Sequence, residues 1–266
     1  YDHAEERGGH AVSFVQRFYS LSYPDAVTML LGGELGTAYP SAGERTEEPV
    51  KPFALPPANK DMRRVFAYLI KHRGIAKDVV AHFAKAGLLY EDAEYHNAVF
   101  VGYDGKTPRY ATLRGTLSGS SFKRDVTGSN KRFCFSIDGQ NDSKLNVFEC
   151  AIDALSYLTQ VKMQGADWRQ ESVLSLGGVY QSRPNETPKV PTALQGYLKR
   201  HIDVQEIVLR LDNDAVGRGA AGAISQAISD LPVSVELPAE GKDYNEWLMR
   251  QKGISPRQRA RNEPER

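Results

Sequence analysis

Residues 207–211, I-V-L-R-L, form an apolar, strand-like run that breaks into Asp212, Asn213 and Asp214 just before a Gly- and Ala-rich stretch. That is the form of a buried parallel strand feeding a helix, and ligands of open α/β sheets gather at the carboxyl ends of such strands. Asp212 and Asp214 flank a single residue, so both side chains can reach the rim of the sheet. Two carboxylates held close together repel unless a cation lies between them, and magnesium, a hard ion, takes one or two carboxylates together with substrate phosphates. A polar turn in which Asp214 merely caps the helix accounts for the same residues. Two further strand ends deliver acids as well. Residues 145–148, L-N-V-F, run into Glu149, with Asp153 one helical turn further on, and residues 233–237 precede Asp243. Carboxylates at three strand ends are more than packing requires.

The chain that must position these acids has 266 residues, 41% of them apolar, enough for one large or two modest domains. It has no apolar run of membrane-spanning length and no leader pattern at its start, so the expectation is a cytoplasmic protein without membrane contact. Cys134 and Cys150 are the only cysteines, with neither a zinc-finger spacing nor a disulfide context. The net charge of +1 hides an uneven distribution: residues 51–140 carry 15 basic and 8 acidic side chains, and residues 141–254 carry 12 and 15. A basic module beside an acidic one suits a polyphosphate or nucleic-acid substrate, although an ordinary solvated surface fits the counts too.

In chain order, Val12, Val15 and Phe18, then Ala26, Val27, Leu30 and Leu31, predict two short helices, the second capped by Ser22 with Pro24 in its first turn. Residues 34–57, rich in Gly, Pro, Glu and Thr, read as a linker. In residues 58–140 the pattern gives helical stripes at Met62, Val65, Phe66, Leu69 and Ile70 and at Val79, Val80 and Phe83. A two-strand hairpin turning at Asp104–Gly105 follows, and then a stretch of small and basic residues. Residues 141–254 alternate strands and helices, including a short strand ending in S-L-G-G at 175–178 and a helix over 194–201. Residues 255–266 read as a disordered basic tail.

Four motifs in order, F-E-C-A-I-D-A-L-S, S-L-G-G, L-D-N-D-A-V-G and G-K-D-Y-N-E-W-L, resemble the Toprim domain of bacterial primases, topoisomerases and some nucleases. More narrowly they resemble the Toprim of primase-like proteins of plasmids and other mobile elements, over about residues 141–252. The resemblance implies an α/β fold with a Rossmann-like parallel sheet flanked by helices, preceded by a smaller α+β basic module. It implies Glu149 as general acid or base, Asp212 and Asp214 as catalytic metal holders, Asp153 and Asp243 as further metal support, and Mg2+ or Mn2+ as the cofactor. The 58–140 module resembles a domain of undefined function that precedes Toprim in those proteins, and more loosely the amino-terminal half of the primase core. Arg114, Lys123, Lys131 and Arg132 are placed along a phosphate path, with Arg109 and Arg73 behind them. Gly177 and Gly178 are expected to offer backbone N–H groups, and Lys242 to join the phosphate set. Residues 1–33 resemble the end of a primase zinc ribbon whose cysteines would precede Tyr1. No zinc is therefore expected in this chain, and His3 and His10 read as surface residues.

Such equipment serves nucleotide polymerisation, strand cleavage and hydrolysis alike. None of the 13 tyrosines stands out as a topoisomerase nucleophile, and no P-loop pattern accompanies a nuclease. The reading is a primase-like nucleotidyltransferase acting on single-stranded DNA and nucleotides, with a helicase or relaxase of the same element as a possible partner. The alternatives are a Toprim nuclease and a non-catalytic nucleic-acid-binding accessory of plasmid replication or conjugation. A phosphatase of the D-x-D type is a further possibility.

Overall fold

A computed structural model describes residues 11–32, 52–117, 119–179 and 187–254 of the chain. Most of the expected linker, the 255–266 tail, His3 and His10 lie outside them. The chain divides into two units, Tyr1–Val50 and Lys51–Arg266.

In the first unit, α1 (Ala11–Phe18) and α2 (Tyr23–Leu30) are the two expected helices. Ser22 caps α2, its Oγ accepting from the Asp25 N–H at 3.3 Å, and Pro24 sits in the first turn, where its missing N–H costs nothing. The apolar stripe is less buried than its periodicity predicts. Val15 and Ala26 are buried, whereas Phe18, Leu30 and Leu31 are exposed, and Phe18 stacks on Phe14 instead.

The second unit begins with α3 (Arg63–Ala67), which runs into a π-helical turn (Tyr68–His72), and α4 (Lys77–Lys85). Then β1 (Leu89–Glu91), β2 (Ala98–Asp104), β3 (Thr107–Arg114) and β4 (Lys123–Asp125) form an antiparallel sheet in sequence order. The Asp104–Gly105 turn falls where the sequence places it. The hairpin is only the middle of a four-stranded meander, because the outer strands are three residues each and too short to show a period. Phe53 and Leu55, read as linker, pack against Val99, Val101 and Ala111 of this sheet.

A short turn (Lys131–Phe133) leads to the second sheet: β5 (Ser136–Ile137), β6 (Asn141–Phe148), α5 (Ala151–Met163), β7 (Glu171–Ser175), α6 (Thr192–Arg200), β8 (Glu206–Arg210), α7 (Ala215–Ala227), β9 (Val233–Val235) and α8 (Tyr244–Gln251). Its strand order is β5-β7-β6-β8-β9, parallel throughout except for the edge strand β5. Burial on both faces explains its continuous apolar runs. Leu145, Val147, Ile207 and Leu209 face one core with α6 and α7, and Phe148 and Val173 face another with α5 and α8.

That second core does not stop at residue 140. Val65, Leu69, Val80, Phe83 and Phe100 of the first module interleave with Leu155, Leu158, Trp168 and Leu248 of the second. Where the two meet, the Lys131–Phe133 turn is wedged between two glycines. A Cβ on Gly102 of β2 would meet the Phe133 carbonyl oxygen at 1.7 Å, and one on Gly196 of α6 would meet that of Arg132 at 2.4 Å.

Residues 52–254 should therefore unfold as one body. In urea, the fluorescence of the two tryptophans and far-UV circular dichroism are expected to change together, and Leu155→Ala, which empties part of the shared core, to cost about 2–5 kcal/mol by both probes. Separate transitions would show that the modules are independent.

Candidate active site

Parallel pairing sets the site. Phe148 of β6 is in register with Ser175 of β7 and Arg210 of β8, so Glu149, the 175–178 loop and Asp212 leave the sheet at one edge. Asp153 stands in the first turn of α5. Asp214 and Asp243 are the N-caps of α7 and α8, accepting from Gly217 N–H at 2.8 Å and Glu246 N–H at 2.6 Å. Gly217 has no alternative, since a Cβ there would meet the Asp212 carbonyl oxygen at 2.1 Å.

Glu149, Asp153, Asp212 and Asp243 line one cleft of about 350 Å³, and Arg114, Lys123 and Arg124 of the meander line it too. The acids strain one another. Burial, then Asp212, push the Glu149 carboxyl up to about 7. Asp212 is raised by burial and by Asp243, and Asp153, buried at 5% exposure, is raised by burial and by Asp243. Asp153 is held by the Cys150 thiol, donating at 2.8 Å, and by Asn245 N–H at 3.2 Å. Asp214 lies below the usual carboxylate range because Gly217 N–H and Lys242 favour its anion. It caps its helix with Oδ1 while its Oδ2 faces Lys242, so capping leaves one carboxylate oxygen turned toward a cationic group.

Among the described residues no three His, Cys, Asp or Glu side chains converge tightly enough as they stand to enclose an ion. The donor set nonetheless fits a hard divalent cation. All its donors are carboxylate oxygens; Glu149, Asp153, Asp212 and Asp243 share one cleft, the charged forms of Glu149, Asp153 and Asp212 are disfavoured by burial and repulsion, and the Lys242 ammonium already lies against Asp212 and Asp214.

Of the basic residues picked from sequence, Arg114 and Lys123 line the cleft, and the buried Arg114 Nε has no hydrogen-bond partner. Lys131 instead donates to the Gly177 carbonyl at 3.1 Å and pairs with Asp125 at 3.5 Å. Arg109, half exposed, lies 4.0 Å from Asp104, and neither it nor Arg132 lines the cleft. Arg73 is tied to Tyr68 and Asn245, which makes it a strut rather than a phosphate contact. The backbone N–H groups of Gly177 and Gly178 are not free for phosphate, contrary to expectation. They donate to Ser175 Oγ at 3.3 Å and to the Glu149 carbonyl at 3.0 Å, so the loop positions Glu149. Gly177 also has a φ of +66°, with the Tyr110 hydroxyl 2.6 Å from where a Cβ would stand. Lys242, expected on phosphate, has its ammonium 3.3 Å from Asp212 and 3.2 Å from Asp214. Sequence reasoning missed Arg124, whose only signal was its place beside Lys123 on an edge strand too short to recognise.

Residues 146–248 match the family model described as Toprim-like, bearing out the motif resemblance, and residues 67–141 match a family described as protein of unknown function (DUF3991). Over 282 residues, 97% of this chain and 77% of the other, the sequence is 25% identical to the uncharacterized protein pXO2-78 of Bacillus anthracis. Among solved structures it is similar to the Escherichia coli primase catalytic core, at 17% identity, covering 71% of this chain and 69% of that one, with a TM-score of 0.48. It is also similar to the primase fragment of the bacteriophage T7 primase-helicase protein, at 17% identity, 70% of each chain and a TM-score of 0.45.

A carboxyl raised in the folded state favours folding below its unfolded pKa, and that advantage is lost as pH rises through the folded pKa. Glu149, with Asp212 shifted the same way, should make the metal-free protein melt lower at about pH 8 than at about pH 5. Glu149→Gln should flatten that fall, and a melting point of Glu149→Gln that drops as steeply as wild type would show that Glu149 is not strained.

Proposed function

We propose that this chain, which carries a Toprim-like domain behind a DUF3991 module, is a primase-like nucleotidyltransferase that works on single-stranded DNA with Mg2+ or Mn2+, in the replication of a mobile element. The observation that carries the reading is the two-signed cleft, lined by acids from two strand ends and two helix starts of the second sheet and by Arg114, Lys123 and Arg124 of the meander. Acids alone would suit many metal sites, and bases alone would suit any anion. The two together suit a phosphoryl group accompanied by a cation.

Asp212, Asp214 and Glu149 would hold the cation, supported by Asp153 and Asp243 around the same cleft. Bound there, it supplies charge neutralisation to the phosphoryl group and lowers the pKa of an attacking oxygen. Arg114 Nε has no protein hydrogen-bond partner, and a phosphate oxygen is a natural acceptor for it. Lys123 and Arg124 lie on an exposed edge strand, where they can follow a strand backbone by releasing its counterions. Glu149, at the end of β6 in the same cleft, would accept a proton from a 3′-hydroxyl or return one to a leaving oxygen. Among the described residues no helix is long and apolar enough to cross a membrane. A cytoplasmic replication protein, with a helicase or relaxase of its element as a partner, is part of the same proposal.

Incubation with a single-stranded DNA template, labelled nucleotides and Mg2+ or Mn2+ tests this, with extension, cleavage and binding scored together. Wild type is expected to extend. Asp212→Asn with Asp214→Asn should keep DNA binding and lose synthesis, and Glu149→Gln should slow it by about 10²–10⁴-fold. Cleavage without extension would make the protein a nuclease, and equal synthesis by the double variant would remove the enzymatic assignment.

A further inference from the structure

The Lys242 ammonium occupies the place where two carboxylates most need a cation. Its Nζ lies 3.3 Å from Asp212 Oδ2 and 3.2 Å from Asp214 Oδ2. The backbone beneath it is clamped. Lys242 N–H donates to Glu246 Oε2 at 2.7 Å, and its carbonyl accepts from Asn213 N–H at 2.6 Å, Asn213 being the residue between the two aspartates. Gly241 before it has a φ of +81°, and a Cβ there would meet the Glu246 side chain at 2.9 Å. The Cα of Lys242 is thus fixed against the D-x-D turn, while its side chain, 56% exposed, is the part free to move.

We propose that Lys242 is the resident counter-ion of this site: a divalent cation loading at Asp212 and Asp214 evicts the ammonium, which then meets a phosphate of the nucleic-acid substrate. This deepens the reading above and rests on its assignment of those aspartates to the cation. An ammonium and a divalent ion cannot share the same two oxygens, because they repel and the ion carries the larger charge. Lysine suits the exchange, being a compact charge on a flexible four-carbon stem with no fixed fork to reorient. Once displaced, the ammonium remains in a cleft that Arg114 and Lys123 also line. One side chain then couples two ligands. By linkage, whatever the phosphate gains from the freed lysine, the metal gains equally from the phosphate.

The test is Mn2+ binding without nucleotide, followed by electron paramagnetic resonance, on the full chain. Lys242→Met, and Lys242→Gln as a second variant, should bind Mn2+ about tenfold tighter than wild type, while Lys242→Arg does not. Their metal-free melting point should be lower and its rise on adding Mn2+ larger. In wild type, affinity for a single-stranded oligonucleotide at fixed ionic strength should improve with Mn2+, and the two variants should lose most of that gain. Mn2+ affinity equal to or weaker than wild type in both variants, or an undiminished gain in oligonucleotide affinity, overturns the proposal while leaving the metal site standing. Asp212→Asn is the control: if it binds Mn2+ as wild type does, the metal assignment falls and this proposal with it.

Discussion

Like charges that the sheet does not allow to separate govern this molecule. Glu149 and Asp212 leave neighbouring parallel strands one and two residues past the paired Phe148 and Arg210, and α5 and α8 carry Asp153 and Asp243 at their starts. The backbone fixes all four, so the repulsion cannot be relieved by moving them apart. It is relieved instead by local chemistry: Glu149, Asp153 and Asp212 hold protons more tightly than usual, Cys150 and Asn245 donate to Asp153, and Lys242 lies against Asp212 and Asp214. Each offsets repulsion between neighbouring carboxylates.

Such strain needs a frame, and Arg210 supplies much of it. It sits two residues ahead of Asp212, with its guanidinium 4.3 Å from the centre of the Tyr157 ring and 5.8 Å from that of Tyr244. It donates to Asn146 Oδ1 at 2.8 Å and to the Tyr244 hydroxyl at 3.0 Å, and pairs with Glu236 at 2.8 Å. A buried cation left unpaired costs several kcal/mol, so this full set of partners is the condition for its being there at all. It ties β8 to β6, α5 and α8, the elements that carry the acids. Asn245, 2% exposed, continues the frame by bonding Ser156 and the Arg73 carbonyl, which brings the π-helical turn of the first module into it.

Glu149 and Asp212 were legible in the sequence because each directly follows an apolar, strand-like run, and Asp153, Asp214 and Asp243 were legible by their spacing from those strand ends. Partners made across the fold were not legible. Lys242 reads as one more cation in G-K-D-Y-N, and only the clamp between its backbone and Asn213 brings it onto the aspartates. Gly177 and Gly178 have the composition of an anion-binding loop, yet their N–H groups close onto Ser175 and Glu149. Arg73 has the charge of a phosphate ligand and the contacts of a strut. Phe53 and Leu55 lie in a stretch whose Pro and Glu content reads as linker, yet both pack on the meander, and the Pro56 carbonyl accepts from the Tyr90 hydroxyl. A boundary at residue 140 follows the change of pattern along the chain, whereas the core is built across it.

That shared core bears on what the cleft can take. Were the basic meander a separate body, its distance from the acids could adjust to any anion. Packed through Phe83, Phe100 and Phe135 onto Leu155 and Trp168, it holds Arg114 at a fixed offset from Asp153 and Glu149. A bare phosphate entering that cleft meets Glu149, Asp153, Asp212 and Asp243, and a bare cation meets Arg114, Lys123 and Arg124. On the proposed reading, a cation and a phosphate entering as a pair would answer both sets of charges, and the spacing set by the shared apolar core would favour that pair over either ion alone.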